Sequence, residues 1–345
     1  MAQSDYQLST WYYPSLPCAP DASLVPNRYH GITQICGEFL TFGLDEQEDG
    51  SCVRIMTEGE YGIGAFSEKH IAEMKKVVPQ LFCTVSGRSE RGVTHMLESE
   101  RLTQNTIKAI VNFCVKHGLH CDINIEGLAS FSPEECLKHA IFLNDLGVAL
   151  KNAGKIYRLV TVAEDGTLFH GNWRNEMLKN VQCDFMIFMQ YDRFYDMANN
   201  SNTPDLFLEK TINMAKKVLG DSWKTKYVCG LPNYGFKCPI SNWWKASIVT
   251  RGQLYKEGYT SLPETRANDS KELTWTRGTW RYYYTDRVAL DDKTRIAMKL
   301  GVNKFCLWHG FGGADFNDRT YLNPWWSPEM AAGVKEMIGG EPFMA

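Results

Sequence analysis

The chain has 345 residues, of which 44% are hydrophobic and 22% charged, and its formal net charge is −3. This length allows a large buried core, in one barrel-sized domain or in two ordinary ones. The balanced charge, without long runs of one sign, argues against nucleic acid and membrane surfaces as partners. No stretch resembles an export signal or a membrane-spanning helix, so we expect a soluble protein whose compartment the sequence leaves open.

The chain contains 11 cysteines, several of them inside apolar runs such as those around Cys83 and Cys306. An odd number leaves at least one thiol unpaired in a monomer. Cysteines within apolar runs are typical of buried, reduced thiols. We therefore expect free cysteines and no disulfide framework.

Short runs rich in β-forming residues alternate with longer helical patterns along the chain. This alternation is typical of repeated βα units that build a parallel sheet. We predict eight strands, at residues 8–13, 35–42, 81–86, 121–126, 156–162, 185–191, 227–231 and 304–308.

Two of the intervening helices have recognisable ends. Ser132 is a predicted N-cap, followed by a proline and by Glu135, which is placed to complete a capping box. This helix is expected to run to about residue 153 and to stop at Gly154. A second helix is expected to begin near Asp205 and to stop at Gly220.

The interval between the seventh and eighth strands is much longer than the others. This insertion, residues 236–287, is polar and aromatic, and we expect a small subdomain or long loops that form the wall of a cleft. The βα pattern then resumes, so we predict one domain over residues 1–345. The predicted fold is an α/β (β/α)8 TIM barrel, in which functional residues lie at the carboxyl ends of the strands.

The fourth predicted strand has a polar side chain at every second position. Alternate residues of a strand share a face, so Asp122, Asn124 and Glu126 are expected to face the barrel interior, with Ile123 and Ile125 against the helices. Buried carboxylates are costly unless neighbours compensate for them. An ordinary strand with one wet face would give the same pattern.

Glu126 is the residue of this row nearest the catalytic rim. We expect Asp122 and partial burial to raise the pKa of Glu126, so that it acts as a general acid. Three other predicted strands also end in polar and aromatic residues, at 190–192, 233–234 and 308–309.

These strand ends together resemble glycoside hydrolase family 18, which contains chitinases, endo-β-N-acetylglucosaminidases and chitinase-like lectins. The family's strand-four signature, Asp-x-x-Asp-x-Asp-x-Glu, matches at Asp122 and Glu126, with Leu119 and Asn124 at the other two positions. The resemblance covers nearly the whole chain, from residue 11 to residue 308. The other matches are Met-x-Tyr-Asp at residues 189–192, Gly-x-Pro-x-Tyr-Gly at residues 230–235, and the strand-eight tryptophan, Trp308.

Two positions depart from the family pattern. The first acid is replaced by Leu119, which removes part of the charge relay that tunes the two central acids of the signature. The third acid is replaced by Asn124. Residues 124–126 have the Asn-x-Glu form found in endo-β-N-acetylglucosaminidases of glycoside hydrolase family 85. Asn124 therefore leaves three options open: ordinary hydrolysis, an amide-assisted variant, or sugar binding alone.

The resemblance implies hydrolysis of β-1,4-linked N-acetylglucosamine, in chitin oligosaccharides or in the chitobiose core of N-glycans. The implied mechanism is substrate-assisted and retaining: the sugar's own 2-acetamido oxygen attacks its anomeric carbon. Glu126 would protonate the departing oxygen and later deprotonate water. Asn124 would orient the acetamide, and Asp122 would be a charge that controls this pair.

The same resemblance implies a set of sugar-binding residues. Tyr191 would donate its hydroxyl to the acetamide, while Asp192 would bind a sugar hydroxyl or orient Tyr191. Trp308 would form the apolar floor of the site. Gln190 and Tyr234, from the strand-six and strand-seven motifs, are further candidates. Packing alone would also account for aromatic residues at strand ends.

The main alternative is a chitinase-like lectin that binds N-acetylglucosamine-containing glycans with little turnover. Such proteins usually lack the acid that is present here as Glu126. A structural or interaction protein would need no polar cleft. A metal cluster that includes His117 and His120 is disfavoured, because no paired Cys or His motif is present. We expect an oligosaccharide partner, no metal or cofactor, and a monomer.

Overall fold

A computed structural model describes most of the predicted repeat. The described residues are 7–12, 34–56, 66, 68, 71–72, 75, 80–87, 90–126, 132–163, 180–193, 201–242, 245–249, 254, 257–258 and 265–308. The strands are β1 (Gln7–Tyr12), β2 (Gln34–Phe42), β3 (Val53–Ile55), β4 (Gln80–Gly87), β5 (His120–Ile125), β6 (Tyr157–Val162), β7 (Phe185–Met189), β8 (Tyr227–Pro232), β9 (Gly235–Pro239), β10 (Ser247–Val249), β11 (Leu273–Arg277), β12 (Trp280–Tyr284) and β13 (Lys304–Trp308). The helices are α1 (Glu90–Leu97), α2 (Glu100–His117), α3 (Pro133–Asn152), α4 (Asp205–Leu219), α5 (Trp223–Lys226) and α6 (Arg287–Lys299), with a 3₁₀ turn at Gly220–Ser222.

Eight strands pair in parallel in one curled sheet, in the order β1-β13-β8-β7-β6-β5-β4-β2. β1 pairs with β13 on one side and with β2 on the other, so the pairings return to the strand on which they began. All eight predicted strands are present, with ends that differ by no more than two residues from the prediction. The predicted α/β class with a parallel sheet is confirmed.

One short strand of this sheet was missed by the sequence analysis. β3 has three residues and pairs antiparallel with the end of β2. A three-residue strand is too short for the period-2 alternation of side chains to be recognised in a sequence.

The two faces of the parallel sheet carry different cores. One buried cluster takes a residue from each of seven parallel strands: Trp11, Cys36, Phe82, Val160, Ile187, Val228 and Cys306. The eighth parallel strand, β5, contributes the polar side chain of Asp122 to this inner face. On the opposite face, Ile123 and Ile125 of β5 belong to the larger core shared with the helices. The predicted division of β5 into a polar and an apolar face is therefore confirmed.

The helix ends follow the predicted local chemistry. Ser132 Oγ accepts the backbone N–H of Glu135, and the Glu135 carboxylate accepts the N–H of Ser132, which completes the capping box. The left-handed conformation of Gly154, with φ of 67°, follows the end of α3. α4 begins at Asp205 and ends before Gly220, as predicted.

The segment between β8 and α6 contains a four-stranded antiparallel sheet, in the order β10-β9-β12-β11. Its aromatic side chains contribute to two small buried clusters, one around Tyr282 and Tyr284 and the other around Phe236 and Tyr283. The three consecutive tyrosines therefore pack within the insertion. Trp243 and Trp244 lie outside the described residues.

The ten described cysteines are all free thiols, and only Cys136 is more than slightly exposed. Among these ten residues the expectation of free thiols is confirmed, and the expectation of burial is confirmed for all except Cys136. In the described part of the chain, no helix is both long enough and apolar enough to cross a lipid bilayer.

Candidate active site

Asp122 lies at the centre of a buried polar network on the inner face of the sheet. Its side chain is completely buried. Its Oδ2 accepts the indole N–H of Trp11 at 3.0 Å and the hydroxyl of Thr84 at 2.8 Å. Its Oδ1 accepts Nε–H of Arg158 at 3.1 Å. Both oxygens therefore have donors, which compensates the carboxylate for its loss of water.

Arg158 of β6 is the counter-ion of Asp122 and is 1% exposed. Its Nη1 donates to Gln34 Oε1 at 2.9 Å, and Nη2 lies 3.8 Å from the Cys306 sulfur. The guanidinium carbon lies 4.5 Å from the ring centre of Phe82. The charge is thus paired, hydrogen-bonded and stacked, as a buried guanidinium must be.

Leu119 is completely buried, but it lies in the core between the sheet and the helices. The partners of Asp122 come instead from β1, β4 and β6. The leucine therefore does not leave Asp122 without a partner.

Asn124 and Glu126 form a hydrogen-bonded pair where β5 ends. Nδ2 of Asn124 donates to Glu126 Oε1 at 2.9 Å. Oδ1 of Asn124 is buried, and in the described part of the chain it has no hydrogen-bond partner. Glu126 itself is exposed. The pair thus combines an accessible carboxyl group with an unused amide oxygen.

A second group of predicted site residues surrounds Tyr234, which follows β8. Its buried ring lies edge to face with Trp308 at 4.7 Å and with Tyr191 at 6.0 Å between ring centres. Its hydroxyl donates to Asp192 Oδ1. Burial and the nearby Asp192 carboxylate raise the pKa of Tyr234 well above its ordinary value, so Tyr234 stays a hydroxyl donor.

Tyr191 and Trp308 contact each other as well, with ring centres 6.5 Å apart. Tyr191 is 9% exposed, and Trp308 is partly buried against the inner cluster of the sheet. Tyr191, Tyr234 and Trp308 therefore form one aromatic group where β7, β8 and β13 end, with Asp192 hydrogen-bonded to it. The carboxyl ends of parallel strands meet at one edge of a sheet, so this group lies at the same edge as Asn124 and Glu126.

Gln190 lies apart from this group. Its Nε2 donates to the Tyr227 hydroxyl at 2.9 Å, and its Oε1 accepts the hydroxyl of Thr211 in α4. The side chain is completely buried. It therefore joins the sheet to a helix, with both ends of its amide occupied.

Close backbone contacts explain both glycines of the strand-seven motif. A Cβ at Gly230 would lie 2.9 Å from the carbonyl oxygen of Phe188, and a Cβ at Gly235 would overlap the carbonyl oxygen of Tyr283. A larger residue at position 230 would move β8 away from β7, and one at position 235 would move β9 away from β12.

Arg158 is the main site residue that sequence reasoning missed. A signal for it existed: it occupies the second position of a strand in which Tyr157, Leu159 and Val160 are apolar. A charged residue on an inward face needs a counter-ion, and Asp122 was already expected on the neighbouring strand. Within the described ranges, no group of three or more His, Cys, Asp or Glu residues is arranged to hold a metal ion.

No protein-family model and no curated protein sequence matches the chain. Solved structures do match. A Group IV chitinase from Ostrinia furnacalis has a TM-score of 0.75 at 13% identity, over 97% of this chain and 100% of that one. A chitinase from Chromobacterium violaceum has a TM-score of 0.71 at 13% identity, over 90% and 96% of the two chains.

The spore cortex-lytic enzyme SleL from Bacillus cereus is also similar, with a TM-score of 0.69 at 13% identity, over 88% of this chain and 70% of that one. Identity is low in all three alignments, so the similarity is one of fold. The predicted relationship to chitinases is confirmed at this level: the chain has the fold of these chitinases and of SleL.

Proposed function

We propose that the protein is a glycoside hydrolase of the family 18 type that cleaves β-1,4-linked N-acetylglucosamine by the substrate-assisted retaining mechanism. Its eight parallel strands would form the closed (β/α)8 barrel of that family. The observation that carries the proposal is the Asn124–Glu126 pair at 2.9 Å, with the buried Oδ1 of Asn124 still available as an acceptor.

The orientation of Asn124 suits a sugar acetamide. Because Nδ2 is directed to Glu126, Oδ1 is left to accept the N–H of the 2-acetamido group. Holding that N–H turns the acetamido oxygen towards the anomeric carbon, which it must attack from the face opposite the leaving group. An amide can play this part because it offers an acceptor and a donor together.

Glu126 then has both proton-transfer roles. As the acetamido oxygen bonds to the anomeric carbon, the glycosidic C–O bond breaks and the departing oxygen takes the proton of Glu126. The ionised Glu126 next removes a proton from water, which opens the oxazolinium ion and restores the acid. Asp122 is unsuited to be a protein nucleophile because it is completely buried and ion-paired with Arg158.

The aromatic group is the proposed sugar site. The Trp308 face provides an apolar floor, and the Tyr191 hydroxyl is assigned to the acetamide oxygen. Asp192, which accepts the Tyr234 hydroxyl, is assigned to a sugar hydroxyl. Gln190 is not assigned a sugar contact, because both ends of its amide are occupied elsewhere.

Experiment decides two points of this proposal: which substrate is cleaved, and whether the sugar is cleaved or only bound. The substrate is either a chitin oligosaccharide or the chitobiose core of an N-glycan, and the solved relatives named chitinases favour chitin. A lectin with this fold would bind the same sugars without turnover. The presence of Glu126, exposed and hydrogen-bonded to Asn124, favours the hydrolase.

Release of a fluorophore from chitobiose and chitotriose glycosides tests the proposal. We expect release by the wild type and at least about a hundredfold slower release by Glu126→Gln, which removes the acid but keeps the shape. Equal rates in the two proteins would refute the assignment of Glu126. Sugar binding by calorimetry without release by the wild type would establish the lectin. Comparing soluble chitooligosaccharides with a glycoprotein then decides the substrate.

A further inference from the structure

Glu272 of the insertion and Lys293 of α6 form a completely buried ion pair. Lys293 Nζ lies 3.4 Å from Glu272 Oε1 and donates to the carbonyl oxygen of Ser270 at 2.8 Å. Burial raises the pKa of Glu272, while Lys293 and the N–H groups of Thr203 and Asn202 lower it. This carboxylate is therefore held by several partners in a place where an unpaired charge would be costly.

Both oxygens of Glu272 also hold the backbone that leads into α4. Oε2 accepts the N–H of Asn202 at 2.8 Å, and Oε1 accepts the N–H of Thr203 at 2.9 Å. The Thr203 hydroxyl donates to the carbonyl oxygen of Gln190 at 2.7 Å. Residues 202 and 203 are completely buried. The insertion thus fixes a short segment that lies against the end of β7.

Asn202 connects this segment to the aromatic group. Its Oδ1 accepts the backbone N–H of Asp192 at 2.7 Å. Asp192 has φ of 67°, in the left-handed region that few residues other than glycine adopt without support. The Asp192 carboxylate in turn accepts the Tyr234 hydroxyl, and the Tyr234 ring lies against Trp308. A continuous path of contacts therefore joins Glu272 to the proposed sugar site.

We propose that Glu272 is a positioning residue of the sugar site, which acts through Asn202 to fix the Asp192 backbone and the Tyr234 hydroxyl. The insertion then contributes to the site, and its buried carboxylate affects the affinity for the sugar. This inference rests on the proposed function. The path ends where β7, β8 and β13 end, whereas the proton-transfer pair lies where β5 ends. A change at Glu272 is therefore expected to alter substrate affinity.

The first test is Glu272→Gln, which keeps the size of the side chain. An amide group can no longer accept both backbone N–H groups, so Asp192 loses its fixed support. We expect KM for the chitobiose glycoside to rise roughly tenfold, with kcat changed less than about twofold and the pH profile unchanged.

Glu257→Gln is the matched control. Glu257 lies in the same insertion, 3.3 Å from Lys237 Nζ, and accepts the Tyr282 hydroxyl at 3.1 Å. None of its hydrogen bonds in the described part of the chain involves residues 202–203. The chemical change is identical, and KM is expected to stay at the wild-type value. An equal rise of KM in both variants would overturn the proposal.

A double-mutant cycle with Asp192→Asn shows whether Glu272 acts through Asp192. We expect Glu272→Gln to change KM by less than about twofold once Asp192 is already substituted. A full additional loss in that background would overturn the proposal.

If Glu272→Gln does not fold, Asn202→Ala is the substitute variant, because it keeps the ion pair. It should raise KM by a similar factor, and unchanged KM in this variant would overturn the proposal. Absence of hydrolysis in the wild type would instead refute the proposed function, and the same cycle would then be measured on binding affinity.

Discussion

At the residue scale, the main feature of the site is the pairing of Asp122 with Arg158. Two buried charges gain stability only if their remaining donors and acceptors are satisfied, and here four neighbours from β1, β2, β4 and β13 contact them. The family resemblance predicts an acid at position 119 as part of a charge relay. In this chain the neighbour of Asp122 is a cation from β6, so Asp122 is held as one half of a fixed ion pair.

Arg158→Met should destabilise the fold, because it leaves the Asp122 carboxylate buried without its counter-ion. We expect the free energy of unfolding to fall by about 3–5 kcal/mol, measured by urea denaturation. The double variant Asp122→Asn with Arg158→Met removes both charges and should recover part of this loss. Simple addition of the two single losses would show that the pair is not coupled.

Asn124→Ala should lower kcat/KM for the chitobiose glycoside by about a hundredfold, because it removes the acceptor for the acetamide N–H. The thermal midpoint should change little, since the side chain is only partly buried. Asn112→Ala, on the exposed surface of α2, is the control for amide loss in general. Unchanged kcat/KM in Asn124→Ala would contradict the assigned role.

At the element scale, sequence patterns predicted most of what the structure contains. The alternation in β5 correctly divided Asp122 and Asn124 from Ile123 and Ile125, because period-2 alternation is a local property of a strand. The capping box of α3 could also be predicted, because it joins residues only three positions apart. The contact between Glu272 and residues 202–203 spans about 70 positions, and no local pattern in either segment encodes it. Arg158 could have been recognised as an inward charge beside the strand of Asp122, but the sequence analysis did not identify it.

α3 carries a pH-dependent contribution to stability. Burial lowers the pKa of His139 from 6.5 to about 3. The unfolded chain takes up this proton near pH 6.5 and the folded chain does not, so stability is lost as pH falls from about 6.5 towards 3. At pH 5 the loss is about 2 kcal/mol.

His139→Phe should therefore reduce the fall of the urea midpoint between pH 7 and pH 5. Phenylalanine is a suitable replacement because the imidazole stacks on Phe142, with ring centres 6.2 Å apart. An identical pH dependence in the variant and the wild type would contradict the burial of a neutral His139.

At the scale of the whole molecule, the sheet brings distant strand ends to one edge. β5, β7, β8 and β13 are parallel members of the same sheet, and together they supply Asn124, Glu126, Tyr191, Tyr234 and Trp308. Parallel strands of one sheet all end on the same side, so the order of βα units in the sequence was enough to predict this grouping. It was not enough to predict that the insertion would form its own antiparallel sheet and support Asp192.

The central claim is that the substrate's acetamido group acts as nucleophile while Asn124 and Glu126 assist it. The most direct test is the anomeric configuration of the first product released from chitotriose, followed by proton NMR before the anomers equilibrate. The mechanism predicts that the new reducing end appears first as the β-anomer, because two displacements at the anomeric carbon retain its configuration. Initial release of the α-anomer would require direct attack by water and would contradict the claim.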